Sequence, residues 1–361
     1  MRPTERAAAE ELLISTVRIA SVSRDEGRVA EHLRERMEAL GYRAHIDGAG
    51  NVVGVIGDGE LEVAMVGHID TVPGDLPVEV RDGALYGRGS VDAKGPFVSF
   101  VVAGARAVAR CPGLRLRVIG CVEEEVASSR GARFLVDEPA PDALIIGEPS
   151  GWDGITLGYK GYLRAAVKLA GDCAHSAHDE PTVAAQAARL WNAIEAAATS
   201  FDAGAERAFQ RLIPALLHME CASDGVRQTA RLDLSLRLPP RLGPEEAIAW
   251  LQDVAAGAEV QTSGGMPAWT GPRTTFLHRA LARGIRAKGG NPIWKQKTGT
   301  ADLNVLAPAW GCPALAYGPG DAALDHRPDE HIVLDEFATG IEVLELALEQ
   351  CVAAGLASRM R

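Results

Sequence analysis

The chain has 361 residues, of which 47% are hydrophobic and 24% are charged. These proportions are ordinary for a globular protein and exclude a disordered chain, which combines low hydrophobicity with high charge. A net charge of −11 argues against nucleic acid as a partner, and the sequence has neither a membrane-length apolar run nor an apolar signal-peptide core. We therefore expect a cytoplasmic protein of two or three domains.

Helices and strands alternate in the first part of the chain. The predicted helices are 5–20, 25–40, 95–110 and 129–137, and the predicted strands are 43–47, 51–56, 62–67, 114–121 and 142–146. This alternation predicts an α/β fold with a largely parallel sheet.

The pattern changes near Tyr159. The next predicted elements are a strand at 160–170, a helix at 181–199, strands at 214–222 and 228–238, a helix at 244–256 and a strand at 258–262. This β-α-β-β-α-β order is that of a ferredoxin-like domain. A Gly-Pro-rich stretch at 264–273 is typical of a linker, and a helix at 275–289, a strand at 314–317 and a helix at 335–353 follow it.

The simplest layout is a discontinuous catalytic domain with a smaller domain inserted into it. Its parts are 1–158 and 269–361, and the insertion is 159–268. Six cysteines are scattered without a CxxC pair, which favours reduced thiols over a disulfide framework or a thiolate metal site.

Histidines and carboxylates follow several predicted strands. They are His68 and Asp70 after the strand EVAMVG, Asp92 in GRGSVDAKG, the run Glu123–Glu125, Glu148 in IIGEPS, and His326 in LDHRPDE. Each alone has an ordinary structural explanation, such as a turn or a solvated acidic loop. Together, histidine and carboxylate ligands without cysteine suit zinc, cobalt or manganese in a hydrolytic site. Two metals need a bridging carboxylate, for which Asp92 fits.

These motifs resemble those of the di-zinc aminoacylase and carboxypeptidase family, which includes succinyl-diaminopimelate desuccinylase and acetylornithine deacetylase. The resemblance extends over nearly the whole chain. It implies an α/β catalytic domain with an inserted ferredoxin-like lid and dimerisation domain. It also implies that His68 and Glu148 hold one zinc, that Glu125 and His326 hold the other, and that Asp92 bridges them. Cobalt is a possible substitute for zinc.

The same resemblance assigns the remaining catalytic roles. Asp70 would orient His68, and Glu124 would be the general base, although three consecutive glutamates leave the positions of base and ligand open by one residue. His175 matches the lid histidine that binds the oxyanion from the partner subunit, and His178 is a nearby competitor.

Two further motifs, ITLGYKG (155–161) and KTGTADLN (297–304), resemble the branch of the family that acts on an amino-group carrier protein. Arg237 matches the arginine that receives the substrate carboxylate. The other expected substrate contacts are Lys297, Thr298, Gly299, Thr300 and Asp302. Asp302 is the candidate for a side-chain ammonium, with a turn carboxylate as the alternative.

The branch resemblance implies a function. The enzyme would release lysine, ornithine or both from the C-terminal γ-glutamyl group of a small acidic carrier protein, in lysine or arginine biosynthesis. The alternative is a sibling amidohydrolase acting on a small acylated amino acid such as acetylornithine or succinyl-diaminopimelate. We expect a homodimer, with a tetramer possible. A run of basic residues at 283–297 is a candidate docking surface for the carrier, with a solvated helix and loop as the alternative.

Overall fold

A computed structural model describes residues 1–173 and 179–359, with 354–359 described by their backbone alone. The chain divides into two compact units. The first comprises Met1–Gly158, Gly271–Lys295 and Ala301–Arg361, and the second comprises Tyr159–Thr270 and Gln296–Thr300. The inserted unit thus ends at Thr270 rather than at residue 268, and it gains a short second segment.

Elements are numbered along the whole chain. The helices of the first unit are α1 (Pro3–Val17), α2 (Gly27–Ala39), α3 (Lys94–Val108), α4 (Arg130–Leu135), α7 (Phe276–Ala287), α8 (Leu303–Trp310) and α9 (Leu334–Arg359). Its strands are β1 (Arg43–Ile46), β2 (Val52–Ile56), β3 (Leu61–His68), β4 (Glu79–Arg81), β5 (Ala84–Tyr86), β6 (Leu114–Cys121), β7 (Ala143–Gly147), β8 (Gly154–Tyr159), β14 (Ile293–Lys297), β15 (Ala314–Tyr317) and β16 (His331–Val333). The last residue of β8 and the last two residues of β14 belong to the second unit. Of the helices that the structure describes, none has both the length and the apolar character needed to cross a bilayer.

The central sheet of the first unit is parallel in its middle, as predicted. Its strands follow the order β1-β2-β6-β3-β7-β15-β8, and the pairs β6–β3, β3–β7 and β7–β15 are parallel. Consecutive residues of β3, from Val63 to Val66, are fully buried, so both faces of this strand are covered. Burial on both faces explains why the middle strands are apolar runs rather than alternating ones. A separate small sheet has the order β16-β5-β4.

The second unit has the predicted β-α-β-β-α-β order. Its elements are β9 (Gly161–Asp172), α5 (Val183–Phe201), β10 (Ile213–Ser223), β11 (Arg227–Leu238), α6 (Pro244–Val254), β12 (Glu259–Met266) and β13 (Trp269–Thr270). The antiparallel sheet β10-β11-β9-β12 turns alternate residues such as Leu232, Leu234 and Leu236 toward the core that includes α5 and α6. The stretch 264–273, expected to be a linker, contains the end of β12 and all of β13.

Candidate metal centre

Three neighbouring parallel strands carry the predicted ligands to one edge of the central sheet. His68 ends β3, the three glutamates follow β6, and Glu148 follows β7. The strand order β6-β3-β7 places His68 opposite Cys121, and Gly67 opposite Gly147. Because parallel strands end at the same edge of a sheet, side chains just beyond these residues converge there.

Asp92 lies between two histidines, with one carboxylate oxygen facing each. Its Oδ1 is 3.1 Å from Nε2 of His68, and its Oδ2 is 3.1 Å from Nε2 of His326. A second carboxylate accompanies each histidine. Oε1 of Glu125 is 3.0 Å from Nε2 of His326, and Oε1 of Glu148 is 4.0 Å from Nε2 of His68. The structure therefore brings together all five predicted metal ligands.

This donor set fits divalent cations. Ligand atoms of His68, Asp92 and Glu125 all lie within 4.8 Å of one another. Nitrogen and carboxylate oxygen donors suit zinc and similar ions. A carboxylate with each oxygen turned to a different histidine has the geometry of a bridge between two cations.

The protonation of the histidines is consistent with a cation site. Hydrogen bonds from its ring to the carboxylates of Asp92 and Glu125 raise the pKa of His326 to about 10. Burial opposes the charged form of His68, but Asp70 and Asp92 outweigh burial and raise its pKa well above the usual value. Protons and metal ions compete for the same nitrogen lone pairs, so a cation that binds here would displace these protons, and the carboxylates that hold the protons would hold the cation in their place.

Asp70 connects His68 to the glutamate run. Nδ1 of His68 is 3.0 Å from the carbonyl oxygen of Asp70 and 3.4 Å from its Oδ1. Because a carbonyl oxygen only accepts hydrogen bonds, Nδ1 carries a proton. Nε2 is therefore the nitrogen that would offer its lone pair to a cation, once the cation displaces the proton that Nε2 shares with Asp92. The Asp70 carboxylate also accepts the backbone N–H groups of Glu124 and Glu125, each at 3.1 Å.

The three consecutive glutamates have different surroundings. Glu123 accepts a hydrogen bond from Ser128 Oγ at 2.6 Å and one from Arg130 at 3.4 Å. Glu125 is next to His326, as described above. Burial raises the pKa of Glu124 well above its usual value, and the Glu148 charge adds to the effect. A glutamate with a raised pKa is suited to accepting and returning a proton near neutral pH.

The expected substrate contacts fall into two groups. Arg237, on β11, donates from Nη1 to Oγ1 of Thr300 at 3.2 Å, and that hydroxyl donates to the Lys160 carbonyl at 2.8 Å. Nζ of Lys297 is 5.6 Å from the centre of the Tyr159 ring. Thr298 is exposed and Gly299 is half-buried. All of these residues belong to the second unit.

Asp302 belongs to the first unit and is only 2% exposed. Its two carboxylate oxygens are buried beside the Cys121 thiol, and burial raises the pKa of Asp302 to about 7. His175 and His178, the two candidates for the lid histidine, lie outside the described residues.

The basic run at 283–297 extends from α7 through the following loop into β14. Lys288 forms an ion pair with Glu342 at 2.5 Å, and Nζ of Lys295 donates to the Ser150 carbonyl at 2.6 Å. Arg283 and Arg286 remain exposed on α7. Two of its lysines therefore have structural partners, which weakens the interpretation of the run as a docking surface.

Sequence reasoning missed two groups of supporting residues. Glu330 forms an ion pair with Arg88 at 2.5 Å and accepts the backbone N–H groups of Val91 and Asp92 at 3.3 and 3.4 Å. The second group is Ser23 and Glu26, in the connection between α1 and α2, which bond to Asp70 and to the backbone of Glu123. Both stretches have the composition of ordinary polar loops, so composition alone did not distinguish them.

Comparison with known proteins identifies the family. The model of peptidase family M20/M25/M40 matches residues 64–350. The chain belongs to this peptidase family. The M20 match includes every predicted metal ligand, and it confirms the predicted resemblance and the assignment as a hydrolase.

Similarity to individual M20 proteins extends over nearly the full length. A Deinococcus radiodurans protein named LysW-lysine hydrolase is 44% identical over 360 residues, which cover 98% of this chain and 99% of that protein. A Saccharolobus solfataricus protein named LysW-lysine/LysW-ornithine hydrolase is 24% identical, with 95% of each chain covered.

A solved M20 structure confirms the predicted fold class. The M20 family metallo-carboxypeptidase Sso-CP2 from Sulfolobus solfataricus aligns with a TM-score of 0.79 at 18% identity, covering 96% of this chain and 99% of that chain.

Proposed function

We propose that this chain is a metal-dependent amidohydrolase that releases lysine from the C-terminal γ-glutamyl group of an amino-group carrier protein. The observation that carries the reaction class is the position of Asp92 between His68 and His326, with Glu148 and Glu125 beside them. The substrate rests on the 44% identity with the Deinococcus radiodurans relative and its name.

Two zinc ions would be held as the family resemblance implies, and cobalt would be a possible substitute. His68 and Glu148 would hold one ion, Glu125 and His326 the other, and Asp92 would contact both. When bound, such cations lower the pKa of water and polarise an amide carbonyl.

Glu124 would move the proton. Its carboxylate would accept a proton from water and return it to the nitrogen of the departing α-amine, so that cleavage yields a carboxylate and a free amino acid. Asp70 would keep His68 in the tautomer that leaves Nε2 unprotonated. His175, in the inserted domain, would donate to the developing oxyanion.

Substrate recognition would involve Arg237 in the second unit. Its guanidinium suits the planar α-carboxylate of the released amino acid. The segment from Lys297 to Thr300 would contribute further contacts. Asp302 is a weaker candidate for the side-chain ammonium than the sequence indicated, because its carboxylate is almost fully buried.

The remaining assignments follow the same resemblance. The inserted domain would act as lid and dimerisation domain, the assembly would be a homodimer or a tetramer, and the enzyme would work in the cytoplasm. Ornithine is a second candidate product, which the name of the Saccharolobus solfataricus relative favours.

Mass spectrometry tests the substrate. The purified enzyme is incubated separately with carrier-linked lysine, carrier-linked ornithine, acetylornithine and succinyl-diaminopimelate, and the products are weighed. We expect the carrier to become lighter by one lysine residue, that is, by the mass of lysine minus the water taken up in hydrolysis, and free lysine to appear. Faster cleavage of a small acyl amino acid than of carrier-linked lysine would replace the proposed substrate.

A further inference from the structure

The connection between α1 and α2 contacts three segments that bear predicted metal ligands, although it contains none of the ligands itself. The Ile19 carbonyl accepts a hydrogen bond from Nζ of Lys94, two residues after Asp92. Oε1 of Glu26 accepts the backbone N–H of Glu123 at 3.1 Å. The third contact is a side-chain hydrogen bond from Ser23.

Ser23 donates directly to the carboxylate that orients His68. Its Oγ is 2.7 Å from Oδ2 of Asp70. The same Oδ2 accepts the backbone N–H of Glu125, and Oδ1 accepts that of Glu124 and lies 3.4 Å from Nδ1 of His68. Rotation of the Asp70 carboxylate would therefore disturb the histidine and both glutamates together.

The backbone around Ser23 is fixed against the segment that carries Asp70. The Thr71 N–H donates to the Ser21 carbonyl at 2.9 Å, and the Ser23 N–H donates to the Thr71 carbonyl at 3.2 Å. Oγ of Ser21 donates to the Ile69 carbonyl at 2.7 Å. These bonds fix the backbone of Ser23 beside Asp70, so its hydroxyl lies within hydrogen-bond distance of the carboxylate.

We propose that Ser23 is a positioning residue for the metal centre. Its hydroxyl fixes the Asp70 carboxylate in the orientation that holds the His68 tautomer and the backbone of Glu124 and Glu125. This inference rests on the proposed function only in requiring that the cluster bind a divalent cation. Loss of outer hydrogen bonds around metal ligands typically lowers metal affinity or activity 10- to 100-fold. We expect about tenfold for Ser23→Ala, because Ser23 acts through Asp70.

The primary test measures the zinc affinity of protein that has first been stripped of metal. Zinc is titrated in competition with a chromophoric chelator, using wild type, Ser23→Ala, Ser23→Thr and Ser15→Ala. Thr keeps the hydroxyl, and Ser23 is half-buried rather than part of the core. Ser15 is the matched control, because its hydroxyl bonds to the Leu12 carbonyl on α1.

We expect Ser23→Ala to bind zinc about tenfold more weakly, and Ser23→Thr and Ser15→Ala to stay within threefold of wild type. With substrate, kcat of Ser23→Ala should fall while KM stays within threefold. Equal zinc affinity in Ser23→Ala and wild type would overturn the inference, as would equal losses in the Ala and Thr variants.

Misfolding of Ser23→Ala and failure of the proposed substrate can both be distinguished from failure of this inference. If Ser23→Ala does not fold, Ser23→Cys replaces it, since a thiol keeps the shape but is a weak donor. Its zinc affinity should then lie between those of Ser23→Thr and an Asp70→Asn variant. Because zinc titration uses no substrate, a wild type that fails to cleave carrier-linked lysine would overturn the proposed substrate without affecting this result.

Discussion

Isosteric substitutions of two adjacent glutamates distinguish a proton carrier from a metal ligand. Glu125 has its Oε1 beside His326 and belongs to the group of close ligand atoms, whereas Glu124 does not belong to it. Glu124→Gln should therefore keep two metal ions per chain. Glu125→Gln should lose much of the ion next to His326, which would retain only His326 and the shared Asp92.

The expected effects on turnover also differ. A general base contributes about 10²- to 10⁴-fold to rate, so we expect Glu124→Gln to lower kcat about a thousandfold. This loss corresponds to about 4 kcal/mol of transition-state stabilisation. Added zinc should not rescue Glu124→Gln. It should partly rescue Glu125→Gln, because the amide oxygen is a weaker but still available ligand.

The assay combines metal analysis by inductively coupled plasma mass spectrometry with steady-state kinetics at several zinc concentrations. Glu123→Gln serves as the control, since Glu123 bonds to Ser128 and Arg130 rather than to the ligand cluster. It should keep both ions and most of the activity. Metal loss in Glu124→Gln together with full metal content in Glu125→Gln would refute the assignment.

Three further predictions concern other parts of the molecule. Thr300→Val removes the acceptor for Arg237 and should raise KM about tenfold with little change in kcat, whereas Thr300→Ser should behave as wild type in the same kinetic assay. Burial lowers the pKa of His278 to about 4, below its unfolded value of about 6.5. The unfolded chain therefore takes up the proton first, and this histidine should cost about 3 kcal/mol of stability as pH falls from 7 to 4. Urea unfolding at pH 7 and pH 4 measures the free energy of unfolding of wild type and His278→Gln. Between these pH values the variant should lose about 3 kcal/mol less than wild type, and equal losses would contradict the prediction. Chelation should abolish activity. It should also lower the melting temperature by about 10 °C relative to protein in which each ion is present at about a thousand times its Kd. A calorimetric scan with and without zinc measures this shift.

The convergence of the ligands was predictable from sequence because it depends on a simple rule. His68, Glu125 and Glu148 each follow an apolar strand, and ends of adjacent parallel strands meet at one edge. Asp92 and His326 lie in loops, whose paths a sequence pattern does not give. Their inclusion in the predicted site depended on the chemistry of their side chains and on the motifs around them rather than on periodicity.

Other features depended on contacts between distant parts of the chain. The segment Gln296–Thr300 returns to the second unit, where the Lys160 N–H donates to the Lys297 carbonyl and Thr300 contacts Arg237. Its sequence, QKTGT, is also typical of an ordinary turn. The short strands β4, β5 and β16 were missed for a similar reason, because three residues are too few to show an alternating pattern.

Electrostatics favours cations at this cluster. Five carboxyl groups belong to the metal centre or lie next to its ligands in sequence. They are those of Asp70, Asp92, Glu124, Glu125 and Glu148. Burial of like charges is costly unless opposite charges compensate for it. Among these groups, Glu124 and Glu125 have raised pKa values, for which burial is the first cause and neighbouring carboxylates are a further one. Two divalent cations would leave a single negative charge on the cluster and remove most of this cost. The same carboxylates that destabilise the metal-free site therefore make binding of the cations favourable.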